Sequence, residues 1–319
     1  MSGLRLLADI GGTNARFALQ ARGGGFADIE VLACRDYDRI DAAIAAYLAR
    51  AAARGLAVDG LRHAAIAIAN PVEGDAVSMT NHHWRFSIAG LRDACGLQTL
   101  LVVNDFAALA QALPHLAAAG RERIGGADTV AVEGRPIGLV GPGTGLGVSG
   151  VVPAGGGRWI ALAGEGGHAS FAPVTRDEAR ILDALWEEHG HVSAERLLSG
   201  PGLEAIHRVL AGERLAAADI TARALAGSGA CLATVDAFCA ILGSVAGNVA
   251  LTLGATGGMY IGGGIVPRLG PLFHASAFRA RFEGKGRLRA YLARIPTWLV
   301  TEPYPALRGA AALLDAATP

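Results

Sequence analysis

The chain has 319 residues, and its 28 Lys and Arg balance 28 Asp and Glu, so the formal net charge is zero. This length predicts two domains at roughly 150 residues each, and a neutral chain without a basic run argues against nucleic acid or a membrane as partners. A hydrophobic share of 52% with 18% charged residues excludes a disordered chain, and 45 glycines favour buried strands joined by tight turns.

The first part of the chain alternates short apolar strands with helical periods, as is typical of α/β folds. A polar segment over 72–87 is typical of a hairpin. We predict strands at 4–8, 15–20, 29–34, 63–69 and 99–103, and helices at 40–54, 89–95 and 106–118.

The same alternation restarts near residue 129, and helices then dominate. We predict strands at 129–133, 136–140, 148–153, 260–261 and 297–300, helices at 175–189, 202–211, 219–226, 229–253 and 306–317, and short helices within 278–294.

One apolar stretch imitates a membrane span, because no charged residue lies between Asp236 and Arg268. It contains a G-x-x-x-G at Gly243 and Gly247, a pattern of helix pairs in lipid. The glycines at 254–258 end this helix before a strand, so we favour a buried helix of a soluble domain.

The four cysteines form no C-x-x-C pair, and the N-terminal apolar run is too short for a signal peptide. The sequence therefore predicts a cytoplasmic protein whose thiols are small buried residues. They are Cys34, Cys95, Cys231 and Cys239.

Three glycine-rich turns follow predicted strands, and backbone N–H groups in such turns can bind phosphate. We define them as the first (8–13), second (141–147) and third (262–264) glycine turns. The first two share the order strand, Gly/Thr turn, strand, so plain hairpins remain an alternative. The one Gly-Lys pair lacks P-loop spacing, and Gly145–Gly150 spells G-x-G-x-x-G before a strand rather than a helix.

Five polar residues suit the recognition of a sugar, whose hydroxyls both donate and accept hydrogen bonds. Asn104 and Asp105 follow a buried strand, where Asp105 could instead be a helix N-cap. Glu165 and His168 flank two glycines, which could be an ordinary turn, and Glu195 alone is typical of an exposed helix residue.

The segments 7–18, 104–106, 141–147, 165–168 and 191–202, in this order, resemble the bacterial glucokinase family. The resemblance implies an α/β, two-domain, actin-like ATPase (ribonuclease H-like) fold. In that fold each domain is a mixed sheet flanked by helices, with a cleft between the domains. The implied small domain is 1–110 plus 304–319, and the large domain is 111–303.

Roles follow from the same resemblance. Asp105 matches the catalytic base that accepts the proton of the glucose 6-hydroxyl, and Asp9 lies near Mg²⁺. The matching glucose ligands are Asn104, Asp105, Glu165, His168 and Glu195. The matching ATP-binding residues are Ala8, Asp9, Ile10, Gly11, Gly12, Thr13, Gly143, Thr144, Gly262, Gly263 and Gly264.

The expected activity is ATP-dependent phosphorylation of glucose to glucose 6-phosphate by a homodimer. Two alternatives stay open: a kinase of another hexose, and a non-catalytic actin-like sugar sensor. The role of Asn70, before Pro71, stays open as well.

Overall fold

A computed structural model describes residues 3–80, 82–126 and 129–318. The chain divides into two compact units: the first extends to His115 and includes the segment from Pro303 onward, and the second is Leu116–Glu302. The domain boundaries drawn from the sequence stay a prediction.

The strands of the described residues are β1 Arg5–Ile10, β2 Asn14–Gln20, β3 Phe26–Ala33, β4 His63–Ile68, β5 Ala76–Ser78, β6 Arg85–Ser87, β7 Thr99–Asn104, β8 Arg121–Arg123, β9 Ile137–Pro142, β10 Leu146–Pro153, β11 Trp159–Ala161, β12 Met259–Ile261 and β13 Thr297–Val300. The α-helices of the same residues are α1 Ile40–Ala53, α2 Ile88–Ala94, α3 Asp105–Ala112, α4 Arg176–Trp186, α5 Gly200–Ala211, α6 Ala217–Leu225, α7 Gly229–Leu253, α8 Val266–Leu269, α9 Pro271–Ala275, α10 Phe278–Glu283, α11 Arg289–Ala293 and α12 Pro305–Ala317.

The first unit is built on a mixed five-stranded sheet of order β3-β2-β1-β4-β7. The strands β1 and β2 form an antiparallel hairpin, whereas β1, β4 and β7 run parallel. Alternate residues of β1 serve opposite faces: Leu6 belongs to the core on one side, and Leu7 packs with Leu314 of α12 on the other. Both faces are therefore buried, which explains the nearly continuous apolar strands.

The second unit is built on a mixed six-stranded sheet of order β11-β10-β9-β12-β13-β8. Its β9 and β10 form an antiparallel hairpin like that of β1 and β2, and β9, β12 and β13 are parallel. Both predicted strand–turn–strand repeats are thus real hairpins.

The helix α7 is long and apolar enough to cross a membrane, but most of it is buried inside the second unit. A Cβ at Gly243 would overlap the carbonyl oxygen of Phe278, and one at Gly247 would lie 2.7 Å from that of Phe282. The small-residue pattern therefore lets α10 approach α7 closely. The helix ends at Gly254, whose φ of 61° is left-handed, so the predicted end and the following strand are confirmed.

One predicted strand is wrong, and one predicted helix forms but is shorter than predicted. No strand forms over 129–133, where Val130 is 85% exposed. One edge of the six-stranded sheet is instead formed by β8, Arg121–Arg123. The guanidinium groups of its two arginines each lie 4.7 Å from the Trp298 ring centre, a favourable cation–π arrangement. The helix predicted over 106–118 ends at Ala112 because Pro114, which has no N–H to donate, follows in a short 3-10 turn.

Candidate active site

The parallel strands of the first unit bring several predicted site residues to one edge of its sheet. The register pairs Ile10 with Ile68 and Ile68 with Asn104, so β1, β4 and β7 end side by side. The first glycine turn, Asn70 and Asp105 follow these three ends. This is the edge at which open α/β sheets bind ligands.

The first glycine turn is closed by backbone hydrogen bonds. Gly11 N–H donates to the Asn14 carbonyl (2.9 Å), and Cys34 N–H donates to the Thr13 carbonyl (2.9 Å). The Cys34 thiol also lies 3.5 Å from the Gly11 carbonyl oxygen. The buried Cys34, which lies far from this turn in the sequence, therefore holds the turn through both its N–H and its thiol.

Asp9 lies at the start of this turn, opposite Arg16 across the β1–β2 hairpin. Its Oδ2 accepts a hydrogen bond from Arg16 at 3.1 Å. Burial raises the pKa of Asp9, and Arg16 lowers it by less. A partly buried carboxylate whose negative charge is only partly balanced favours a nearby cation. Mg²⁺ takes few protein ligands and keeps water and phosphate oxygens as the others, so this single carboxylate fits it.

Asn104, not Asp105, caps the helix that follows β7. The Asn104 Oδ1 accepts from the N–H of Phe106 (2.9 Å) and of Ala107 (3.1 Å). Asp105 is the first helical residue and is half-buried, and its Oδ1 accepts from Phe106 N–H at 2.8 Å. The capping role that the sequence left open for Asp105 thus falls to its neighbour.

Asn70 ties the end of β4 to the small β5–β6 hairpin region. Its Oδ1 accepts from both the N–H (3.0 Å) and the hydroxyl (2.7 Å) of Thr80, and its Nδ2 donates to the Pro71 carbonyl (2.8 Å). This partner could not be predicted, because the two residues lie ten positions apart in an irregular segment. Asn70 is therefore a structural residue of this sheet edge.

The second glycine turn joins β9 to β10 in the second unit. Gly143 N–H donates to the Gly145 carbonyl (2.8 Å), and Gly200 N–H donates to the Gly143 carbonyl (3.1 Å). Leu146 N–H donates to Glu195 Oε2 at 2.9 Å. Glu195 is half-buried in a 3-10 helix rather than exposed on an α-helix.

The third glycine turn meets the second at the end of β9. Gly262 N–H donates to the Val140 carbonyl at 2.9 Å. Gly263 has a left-handed φ of 78°, and a Cβ there would overlap the carbonyl oxygen of Pro142. Only glycine allows this approach, so two of the three predicted turns lie together.

Glu165 and His168 flank a 3-10 turn that packs directly on β10. A Cβ at Gly167 would overlap the Leu146 carbonyl, and one at Gly166 would lie 2.8 Å from a methyl of Val148. The two glycines therefore let the turn sit on the strand, while Glu165 and His168 remain exposed.

A backbone pairing brings His168 next to Glu195. Phe171 N–H donates to the Val192 carbonyl (2.9 Å), and Ala194 N–H donates to the Ala169 carbonyl (2.9 Å). His168 and Glu195 consequently line one cavity of about 370 Å³. His168 and Glu195, two predicted sugar ligands that lie far apart in the sequence, are therefore neighbours within this unit.

Within the described ranges, no group of three or more His, Cys, Asp or Glu side chains is arranged to hold a metal ion. A metal at this site would depend on substrate oxygens in addition to Asp9.

The chain matches the family model described as Glucokinase over residues 6–317. It is 55% identical to the "Bifunctional protein glk" of Burkholderia pseudomallei over 98% of the chain but only 48% of that protein. The chain thus spans about half the length of the first curated relatives it matches. It is 53% identical to the glucokinase of Chromobacterium violaceum, covering 97% of the chain and 89% of that protein. The crystal structure of a glucokinase from an Antarctic psychrotroph is 37% identical, with a TM-score of 0.87 over 99% of this chain and 100% of that one.

Proposed function

Because the chain belongs to the glucokinase family, we propose that it transfers the terminal phosphoryl group of ATP to the 6-hydroxyl of glucose. The products are glucose 6-phosphate and ADP. The observation that carries this proposal is the shared sheet edge of the first unit, where the first glycine turn and Asp105 follow β1 and β7, the two parallel strands on either side of β4.

Asp105 acts as the base. Its carboxylate orients the 6-hydroxyl and takes its proton as the oxygen bonds to the terminal phosphorus and the bond to the ADP oxygen breaks. In such a loose, in-line transfer, positioning and charge stabilisation supply most of the catalysis. Asn104 and, in the second unit, Glu165, His168 and Glu195 hydrogen-bond the sugar hydroxyls.

The glycine turns bind the nucleotide. Residues 8–13 and Gly143–Thr144 surround the phosphates, and the N–H groups that are not used in the turns' own hydrogen bonds donate to phosphate oxygens. Gly262–Gly264 lie on the adenosine side. Asp9 would hold Mg²⁺ together with phosphate oxygens, and the ion would supply positive charge against the negative charge of the phosphates. The partly buried carboxylate of Asp9, whose charge Arg16 balances only in part, supports this assignment.

An assay of ADP release with ATP and a panel of glucose, mannose, fructose and N-acetylglucosamine tests the proposal. We expect glucose to give the highest kcat/KM, and chelation of Mg²⁺ to abolish turnover. A higher kcat/KM for another hexose would identify the alternative kinase. Binding of glucose without any turnover would identify a sugar sensor.

We also propose that the protein works in the cytoplasm as a homodimer, as the family resemblance implies. The three buried, unpaired cysteines support a reducing compartment. Light scattering after size-exclusion chromatography tests the assembly: twice the chain mass of 32.5 kDa supports it, and the single-chain mass contradicts it.

A further inference from the structure

We infer that Glu195 is a positioning residue for the second glycine turn as well as a sugar ligand, and that its carboxylate couples glucose binding to nucleotide binding. The inference rests on the proposed function and deepens it. It assigns to one side chain a link between two ligands that the sequence gives no reason to connect.

The turn side of this link is a direct contact. Glu195 Oε2 accepts the N–H of Leu146 at 2.9 Å. A Cβ at Gly145 would overlap this same oxygen, so the carboxylate packs directly against the turn backbone. Since Gly143 N–H in turn donates to the Gly145 carbonyl, the position of Glu195 sets the shape of the segment that contains Thr144.

On the sugar side of the link, Glu195 contributes to the walls of two neighbouring cavities. Glu195 lines the cavity that contains His168 and also a neighbouring cavity of about 600 Å³ that reaches Thr144. Among the described residues, the Leu146 N–H is the one hydrogen-bond donor to its carboxylate. Oε1 is therefore the oxygen left to accept a sugar hydroxyl.

One ligand can thus order the site of the other. A carboxylate that accepts from a sugar hydroxyl through Oε1 loses rotamer freedom, and its Oε2 then holds the Leu146 N–H more persistently. A nucleotide that binds an already ordered turn loses less conformational entropy, so the two ligands bind cooperatively. By linkage, each ligand must raise the affinity of the other by the same factor.

The test measures the glucose dissociation constant by calorimetry, with and without a non-hydrolysable ATP analogue and Mg²⁺. For the unaltered chain we expect the analogue to tighten glucose binding about fivefold or more, within the usual range of coupling. Glu195→Ala should bind glucose more weakly and reduce this factor to within about twofold of unity. The matched control, Glu165→Ala, should also weaken glucose binding but keep the wild-type factor, because among the described residues the Glu165 side chain has no hydrogen bond to the turn.

Variants of the turn itself approach the link from the other side. Gly145→Ala places a methyl group against the Glu195 carboxylate, whereas a Cβ at Gly229, the first residue of α7, meets nothing within 4 Å. Without nucleotide, Gly145→Ala should weaken glucose binding about tenfold, and the control Gly229→Ala should leave it within about twofold. Circular dichroism establishes that each variant folds.

Retention of the wild-type coupling factor in Glu195→Ala would overturn the inference, as would unchanged glucose binding in Gly145→Ala. An unaltered chain without any coupling would overturn it as well. The proposed function fails separately, if the unaltered chain does not phosphorylate glucose.

Discussion

Gly309 of α12 lies directly against the backbone carbonyl of Ala108 in α3, so closely that a Cβ at Gly309 would overlap it. The C-terminal helix thus supports the helix that begins at Asp105. The contact explains why a segment about 200 residues downstream belongs to the first unit.

Gly309→Ala should therefore disturb both stability and catalysis. The added methyl group must push the two helices apart, and overpacking of this kind costs about 1–3 kcal/mol in the free energy of unfolding. Because α3 carries Asp105 at its first position, we expect kcat to fall at least about tenfold, which corresponds to about 1.4 kcal/mol in the activation barrier. Urea unfolding and steady-state kinetics measure the two effects.

Gly229→Ala is the matched control, since it makes the same change at the start of a helix, α7, with open space at the Cβ position. It should be neutral or stabilising by up to about 1 kcal/mol, as alanine is the better helix former. Equal losses in the two variants would show that the α12–α3 contact has no special importance.

Asp9→Asn should separate stability from activity. Burial raises the pKa of Asp9 in the folded protein, so the folded state binds its proton more tightly than the unfolded state does. The resulting stabilisation is present below the unfolded pKa and is lost as pH rises through the folded pKa. At pH 7 the ionised carboxylate of Asp9 therefore lowers the free energy of unfolding of the wild type. The uncharged amide of Asp9→Asn avoids this loss.

We expect Asp9→Asn to raise the thermal midpoint at pH 7, with a gain that shrinks as the pH falls towards 3, while Mg²⁺-dependent turnover decreases. Calorimetric scans across this range measure the first effect, and a Mg²⁺ titration of the rate measures the second. A thermal midpoint that falls at pH 7 would mean that the ion pair with Arg16 outweighs the burial of Asp9.

The cysteines should differ sharply in reactivity with a thiol reagent. Cys34, Cys231 and Cys239 are buried, and burial raises the pKa of Cys239 to about 12. Cys95 is partly exposed, although burial raises its pKa too. We expect at most one thiol, Cys95, to react in the native protein, and four in guanidinium chloride. Loss of this single native reaction in Cys95→Ser would confirm the assignment, and rapid modification of a second thiol would contradict it.

Much of the fold follows from hydrophobic periodicity. The α/β class with a mixed sheet in each unit is confirmed, and the similarity to glucokinase structures gives the actin-like ATPase fold. The long helix α7 was predicted to the residue because Gly254 ends it with a left-handed conformation. The edge strand β8 is not predictable from hydrophobic periodicity, because its sequence, Arg-Glu-Arg, is polar. Its two arginines pack on Trp298, which belongs to a strand far along the chain.

The candidate site was predictable where chemistry lies in a local motif, and not where it depends on distant partners. The glycine turns and Asn104–Asp105 stand beside strands in the sequence itself. The hydrogen bond from Leu146 to Glu195, by contrast, joins residues 49 positions apart. The thiol of Cys34 reaches the first turn across a strand pairing that composition does not specify.

The most direct test of the central claim is the turnover of Asp105→Ala with saturating glucose and ATP, together with calorimetric binding of glucose to the same variant. Loss of the base should reduce kcat at least about 100-fold, the lower range for general-base catalysis, while glucose still binds through the other polar residues. Near-normal turnover would contradict the assignment of Asp105 as the base that accepts the sugar proton.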